Sequence, residues 1–418
     1  MRVMKSKMLH VVVAGVAAVA MMAPLAACGS SSTGGEKTKI SFYSYFKENQ
    51  IGDVVKGFEK ANPNIILDVQ YGQDPSQYIS TLQTRLAGGK PPTIFNITMD
   101  NRTDVMNSGA VANLTGKDFL KGVDDSNFQL FQQDGKIYGL PVSAWVGVMF
   151  YNKDLLNQAG YDEFPKTWDE FIEMGKKINA SGGTAFLEDF NSQPSGTLAG
   201  LVASNWAKRG VDVPDQDIWD GKTTFTDAWG PAVEAWGKAV KEGVIPTKSV
   251  GLSADQIKQE FVNGSLAVMR SGPWDLEDVK ASGVNFGVAA MPAIDGGEQW
   301  INGGPDQGFA IAEKATDNEK AAAEKFLSYL NSEEGLKAFT SAAGTMSLSD
   351  NYQAEPPAEL KDVVDTYFAA NKFYWYNWSK SPAAMTTVMT DQQQKLVQGK
   401  ISASDMTKAL DSKWSSLK

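Results

Sequence analysis

Cys28 is the only cysteine in a chain of 418 residues, so no disulfide can brace the fold. Every strand and helix has to be held by apolar packing. A chain of this length supplies that readily, and its size points to two domains. The position of the cysteine is also informative. Arg2, Lys5 and Lys7 form a positive start, an apolar run extends from Val11 to Leu25, and Leu25-Ala26-Ala27-Cys28 closes it. The run is short for a spanning helix, and small residues precede a thiol that can take a lipid thioether. Residues 1–27 therefore read as a lipoprotein signal peptide, with Cys28 as the lipidation site. Residues 28–38, rich in Gly, Ser and Thr, read as a flexible tether.

Removal of that segment takes away His10, the sole histidine. The remaining chain then lacks both His and Cys, which excludes Ser-His-Asp and Cys-His catalysis and zinc sites built from those ligands. No metal and no cofactor is expected. The formal net charge of −10 becomes more negative once the basic start is lost, and a nucleic-acid partner is disfavoured because phosphate neutralisation needs a basic face. Arginine is confined to Arg85, Arg102, Arg209 and Arg270 after the signal, which also disfavours an anionic ligand. Tryptophan is abundant instead, at eleven residues. A chain poor in groups for covalent chemistry and rich in rings that stack is suited to binding. With no histidine left, binding is expected to vary little between about pH 6 and pH 8.

The folded part begins with a strand-like alternation at Lys39–Tyr43. Ile51, Val54, Val55 and Phe58 then recur at helical spacing up to Asn62-Pro63. Ile65–Val69 reads as a second strand. Tyr78, Leu82 and Leu86 mark a helix ended by Gly88-Gly89, and Thr93–Ile97 reads as a third strand. This order predicts an α/β fold with a parallel sheet covered by helices. Thr167 with Glu170, and Thr316 with Glu319, are capping-box pairs that start later helices. Asp215–Gly221 superficially suggests a calcium loop, but Trp219 stands where an oxygen ligand belongs, so it reads as a turn.

Three blocks carry a family resemblance. The first is Ile137-Tyr138-Gly139-Leu140-Pro141 with Met149–Leu156 and Phe164–Phe171. The second is Phe261–Met269 ending in Gly272-Pro273-Trp274. The third is Gly303-Gly304 with Gly308–Ile311, the helix around Phe326 and Ser332–Gly335. In this order they resemble the family 1 extracellular solute-binding proteins of ABC sugar importers, the branch that includes maltose-binding protein. The resemblance implies a two-lobed α/β fold of the periplasmic-binding-protein type, with the ligand in the cleft between discontinuous lobes. The lobes would take residues 39–143 with 304–345, and 146–301 with 347–418. Crossovers near 143–148, 301–306 and 344–348 would form a three-segment hinge. The implied partners are an oligosaccharide and the transmembrane subunits of an ABC permease. A monomer anchored by lipid at Cys28 on the extracellular face of the cell membrane is expected.

A neutral sugar offers C–H faces to aromatic rings and hydroxyls to paired donors and acceptors, so its site mixes Trp or Tyr with short polar side chains. Trp274 is the first candidate, since the Gly-Pro-Trp of the family carries a ring that stacks on sugar, and Asp275 adjoins it. Tyr45, Phe46, Lys47 and Glu48 follow the first strand and Asp100 and Asn101 follow the third, at the carboxyl ends where open α/β sheets bind ligands. Trp145 lies at the first crossover. Gly303 and Gly304 lie at the second, where hinge flexibility explains them better than a phosphate loop does. In the aromatic cluster 373–378, helical spacing would put Trp375 and Trp378 on one face. A galactose-containing oligosaccharide is favoured on family grounds alone. The alternative is an exported glycoside hydrolase working through paired carboxylates. Adjacent acids such as Glu188-Asp189 and Asp162-Glu163 read as solvated and do not decide it.

Overall fold

The computed structural model describes residues 37–190, 194–209 and 215–417. The signal peptide, Cys28 and the tether up to residue 36 lie outside the described residues.

Two sheets organise the molecule. In the first, strands Thr38–Ser44, Ile65–Tyr71 and Ile94–Ile97 run parallel with Thr38–Ser44 in the middle, as the alternation of strand and helix signals predicts. A fourth strand, Gly308–Ile311, returns from far along the chain and pairs antiparallel with Ile94–Ile97. The connecting helices follow local chemistry. Glu48–Ala61 buries Ile51, Val54, Val55 and Phe58 on the sheet and stops at Asn62. Pro75–Ala87 starts with the Asp74 side chain accepting from the Gln77 amide and with proline in its first turn. The late helices Asp317–Leu330 and Glu333–Ala343 close the other side. The first of them opens with the Thr316–Glu319 capping box. Phe42, Phe58, Phe309, Phe326 and Phe339 fill this core, each contributing roughly 1.5–3 kcal/mol by burial.

The second sheet is built on one long strand, Ser143–Asn152. It pairs antiparallel with Ile301–Pro305 at its start and with Leu266–Ser271 and Phe286–Ala289 at its end. Thr184–Leu187 extends the sheet on one edge and Phe373–Tyr374 on the other. Helices Trp168–Ala180, Gly196–Arg209, Phe225–Lys241, Pro382–Val397 and Ala403–Ser416 pack around it. Their shared core is rich in tryptophan: Trp168, Trp206, Trp229, Trp236 and Trp378 are all buried. The Thr167–Glu170 capping box begins the first of these helices.

The two sheets connect where three chain segments meet. Ala144 pairs with Pro305 on one side and with Met346 on the other. The second sheet keeps the returning chain as far as Pro305, within the 301–306 crossover region. Gly303 and Gly304 are thus ladder residues opposite Val146 and Trp145, not a flexible joint. At Gly303 a Cβ would lie 2.8 Å from the Trp145 carbonyl oxygen, so only glycine lets the strands approach this closely.

Candidate functional site

Both sheets aim the carboxyl ends of strands at a shared cleft of about 610 Å³. One wall consists of Tyr45–Lys47 after the first strand and Gly72–Ser76 after the second. The opposite wall has Asp189 beyond Thr184–Leu187, Ser253–Asp255, Arg270 within Leu266–Ser271, and Trp274 just after it. Trp145, Asp306, Gln307 and Thr345 come from the three connecting segments and form the floor.

Trp274 dominates the opening. Its side chain is 40% exposed in a chain whose other tryptophans lie partly or fully inside. The preceding Gly272 permits this: a Cβ there would fall 2.3 Å from the six-membered ring, which folds back over its own backbone. Inward, the Trp274 ring is 6.3 Å from Trp145, and Trp145 meets Trp375 edge-on at 5.2 Å. The Arg270 guanidinium lies 5.9 Å from the Trp375 ring centre and closes the row. The result is a stripe of rings running from solvent to a partly buried cation.

Polar groups surround the stripe. Asp306 is buried at the floor. Its carboxylate accepts from Ser143 Oγ at 3.3 Å and from the Gln307 backbone and side-chain N–H groups at 3.0 Å. Burial pushes its carboxyl up to about 6. The Tyr45 phenol is raised further by burial and by the charges of Asp306, Asp100 and Asp74. Burial lowers Arg270, against the opposing pull of Glu188 and Asp189. On the floor, Gln307 Oε1 and Thr345 Oγ1 are buried polar atoms without a hydrogen-bond partner among the described residues. Such atoms are costly unless something else satisfies them.

The candidate residues separate clearly. Tyr45, Phe46, Lys47, Trp145 and Trp274 line the cleft, and Trp375 reaches it through Trp145. Phe46 offers only an edge, being stacked on Phe309 in the core. Glu48 begins its helix facing away, where the helix N-terminus favours an acid. Asp275 turns from the cleft to pair with Lys258 at 3.1 Å and to accept from Ser271. Gly303 and Gly304 belong to the sheet, as described above. Asn101 is fully buried, its side chain accepting from the Thr98 amide, and Asp100 is taken by Thr386 at 2.7 Å.

Trp378 is a further correction. Residues 375–378 follow a strand and are irregular, so helical spacing does not apply. Trp378 is 1% exposed and stacks flat on Tyr376 inside the second core. The Glu188-Asp189 pair is also buried, Glu188 accepting from the Thr197 amide and hydroxyl at 2.9 and 2.7 Å. Within Asp215–Gly221, Gln216–Trp219 forms a short helix. The buried Asp215 accepts from Trp229 Nε1 at 2.7 Å and from Tyr374 hydroxyl at 2.9 Å.

Arg270, Asp306, Gln307, Thr345 and the Gly72–Ser76 loop escaped the sequence reading. The loop follows the second strand, so the carboxyl-end rule that picked out Tyr45 could have found it too. No such signal marks the others, because their place depends on how the crossing strands meet.

Among the described residues no acidic, His or Cys cluster forms a metal site, and no helix is long and apolar enough to cross a membrane. The sequence profile of the bacterial extracellular solute-binding proteins matches residues 53–370. The chain belongs to this family. A solved structure described as a family 1 extracellular solute-binding protein from Bifidobacterium longum subsp. infantis is 71% identical, covers 92% of this chain and 100% of its own, and superposes with a TM-score of 0.75. The multiple sugar-binding protein of Streptococcus mutans is 22% identical over 90% of this chain and 92% of its own length. The galactooligosaccharide-binding protein of Bacillus subtilis is 29% identical over 66% of each. This solute-binding protein therefore has the two-lobed α/β fold of its family and is a binding protein, not an enzyme.

Proposed function

We propose that this solute-binding protein captures a neutral oligosaccharide between its lobes and delivers it to the transmembrane subunits of an ABC permease. The carrying observation is the half-exposed Trp274 ring at the mouth of a cleft lined from both lobes, continued inward by Trp145 and Trp375. Tyr45, Phe46 and Lys47 supply contacts from the facing wall. Asp189, Arg270, Asp306 and Gln307 supply donors and acceptors for hydroxyls. A ligand that touches both walls favours the closed arrangement, because only there are all its contacts made. The Streptococcus mutans and Bacillus subtilis relatives support a sugar. The latter relative is the support for a galactose-containing oligosaccharide. We place the protein as a monomer held by lipid at Cys28 on the outer side of the cell membrane, next to its permease.

Thermal-shift screening of the purified protein against neutral oligosaccharides tests this. Those containing galactose are expected to raise the melting temperature most, since a ligand that binds only the folded state stabilises it by mass action. A flat response across the panel contradicts the assignment.

A further inference from the structure

Apart from the cleft, a polar cluster around Arg102 joins the two lobes. The loop after the third strand is tied to itself: Asn101 Oδ1 accepts from the Thr98 backbone N–H at 2.9 Å, and the Asn101 backbone N–H donates to Thr98 Oγ1 at 3.2 Å. On either side of Asn101, Asp100 and Arg102 reach residues of the second lobe. Arg102 Nη2 donates to Asn377 Oδ1 at 2.6 Å and to the Trp378 carbonyl, while Nη1 donates to the Met99 carbonyl in its own loop. Trp378 Nε1 donates to Thr386 Oγ1 at 3.1 Å, and Thr386 Oγ1 donates to Asp100 Oδ1 at 2.7 Å. The relay runs from indole to hydroxyl to carboxylate, each donor meeting an acceptor. Arg102 is 7% exposed. Burial pulls its guanidinium down to about 10, with Asp100 opposing that shift, so it stays charged at neutral pH.

The segment gripped by this clamp is the one that carries Trp375. Beyond the short strand Phe373–Tyr374 the chain is irregular, and Trp375 lies edge-on against Trp145 on the cleft floor. Arg102 holds the side chain two residues further on and the backbone carbonyl three residues further on.

We propose that Arg102 and Asp100 are positioning residues for ligand capture: they touch no ligand, but clamp segment 375–386 of the second lobe to the first and so favour the closed arrangement and the placement of Trp375. This goes beyond the oligosaccharide reading but rests on it for the ligand. Inter-lobe bonds that must break for the cleft to open raise affinity by increasing the population competent to hold ligand, and charge-assisted hydrogen bonds are the strong kind.

The test uses the full chain and the oligosaccharide that gives the largest thermal shift. Arg102→Ala is expected to weaken binding roughly tenfold or more, chiefly through faster dissociation. Thr386→Val keeps the shape of a helix side chain, so it preserves the fold if Arg102→Ala does not, and is expected to act in the same direction. In a double-mutant cycle, Asp100→Ala and Thr386→Val are expected to cost less together than the sum of their separate effects on affinity. With Cys28→Ser, spin labels at Lys47→Cys and Asp255→Cys report the separation of the cleft walls. Arg102→Ala is expected to shift the ligand-free distribution to longer distances, an effect that plain destabilisation does not produce. Affinities within twofold of the parent for both variants, an additive cycle, or an unchanged distance distribution would each overturn the clamp. If no sugar binds even the parent protein, the oligosaccharide reading fails, while the ligand-free distances still decide the clamp.

Discussion

The rings of Trp145 and Trp274 stand 6.3 Å apart at a 55° tilt, one rooted in a connecting strand and the other exposed at the mouth of the cleft. They are offset surfaces for successive apolar faces of an extended ligand. Replacing Trp274 by alanine removes the outer one. Ligand affinity is expected to fall roughly 10- to 100-fold, in line with loss of a stacked ring worth about 1–3 kcal/mol. The melting temperature of the ligand-free protein is expected to change little, because the ring is only part buried. Calorimetric titration and a thermal melt of the same variant check both halves.

Gly272→Ala tests how the ring is held. The new methyl occupies the space of the Trp274 ring and must turn it out of the cleft. Affinity is expected to drop towards that of Trp274→Ala although the tryptophan is still present. Its emission spectrum is expected to shift as the ring changes surroundings. Parent-like affinity and emission would show that the ring does not depend on this glycine.

Asp215 provides a pH test away from the cleft. Burial pushes its carboxyl up to about 7, against the donors Trp229 and Tyr374. Its folded value lies above the unfolded value of about 3.9, so the stability it contributes is present below about pH 4 and is lost as pH rises to about 7. Asp215→Asn imitates the neutral acid. The stability of the variant relative to the parent is expected to rise between pH 4 and pH 7. Denaturant melts across that range measure it, and a constant difference would contradict the assignment.

Asp306 carries the same physics into the site, with a carboxyl near 6. If a ligand hydroxyl donates to it, the ionised form is favoured and affinity strengthens as pH rises through about 6. The expectation of little change between about pH 6 and pH 8 considered histidine alone; Asp306 adds a dependence centred at the lower edge of that range. Titrations at pH 5 and pH 7 are expected to differ for the parent and to agree for Asp306→Asn.

The local rules carried the fold far. The periodicity of Ile51–Phe58, the capping boxes at Thr167 and Thr316, and the strand–helix alternation up to Ile97 all depend on near neighbours, and each element formed as read. Long-range pairings were hidden. Nothing near Gly308–Ile311 says that it returns antiparallel beside the third strand, or that Ala144 pairs with both Pro305 and Met346. The site divided in the same way. Trp274 and Tyr45 were legible because a turn or a strand end brings them to the cleft. Trp378 misled because its neighbours are irregular, where a spacing of three has no helical meaning. Asp100 had the right position but its acceptor serves Thr386, a residue 286 positions later.

On this reading the tryptophan-lined cleft holds a neutral oligosaccharide and leaves it intact. Calorimetric titration of the purified protein with galactose-containing oligosaccharides, followed by analysis of the recovered sugar, tests it most directly. Saturable one-to-one binding is expected at about micromolar affinity or tighter, near −8 kcal/mol, with the sugar recovered unchanged. Absence of binding heat across the series, or new reducing ends in the recovered sugar, would contradict it.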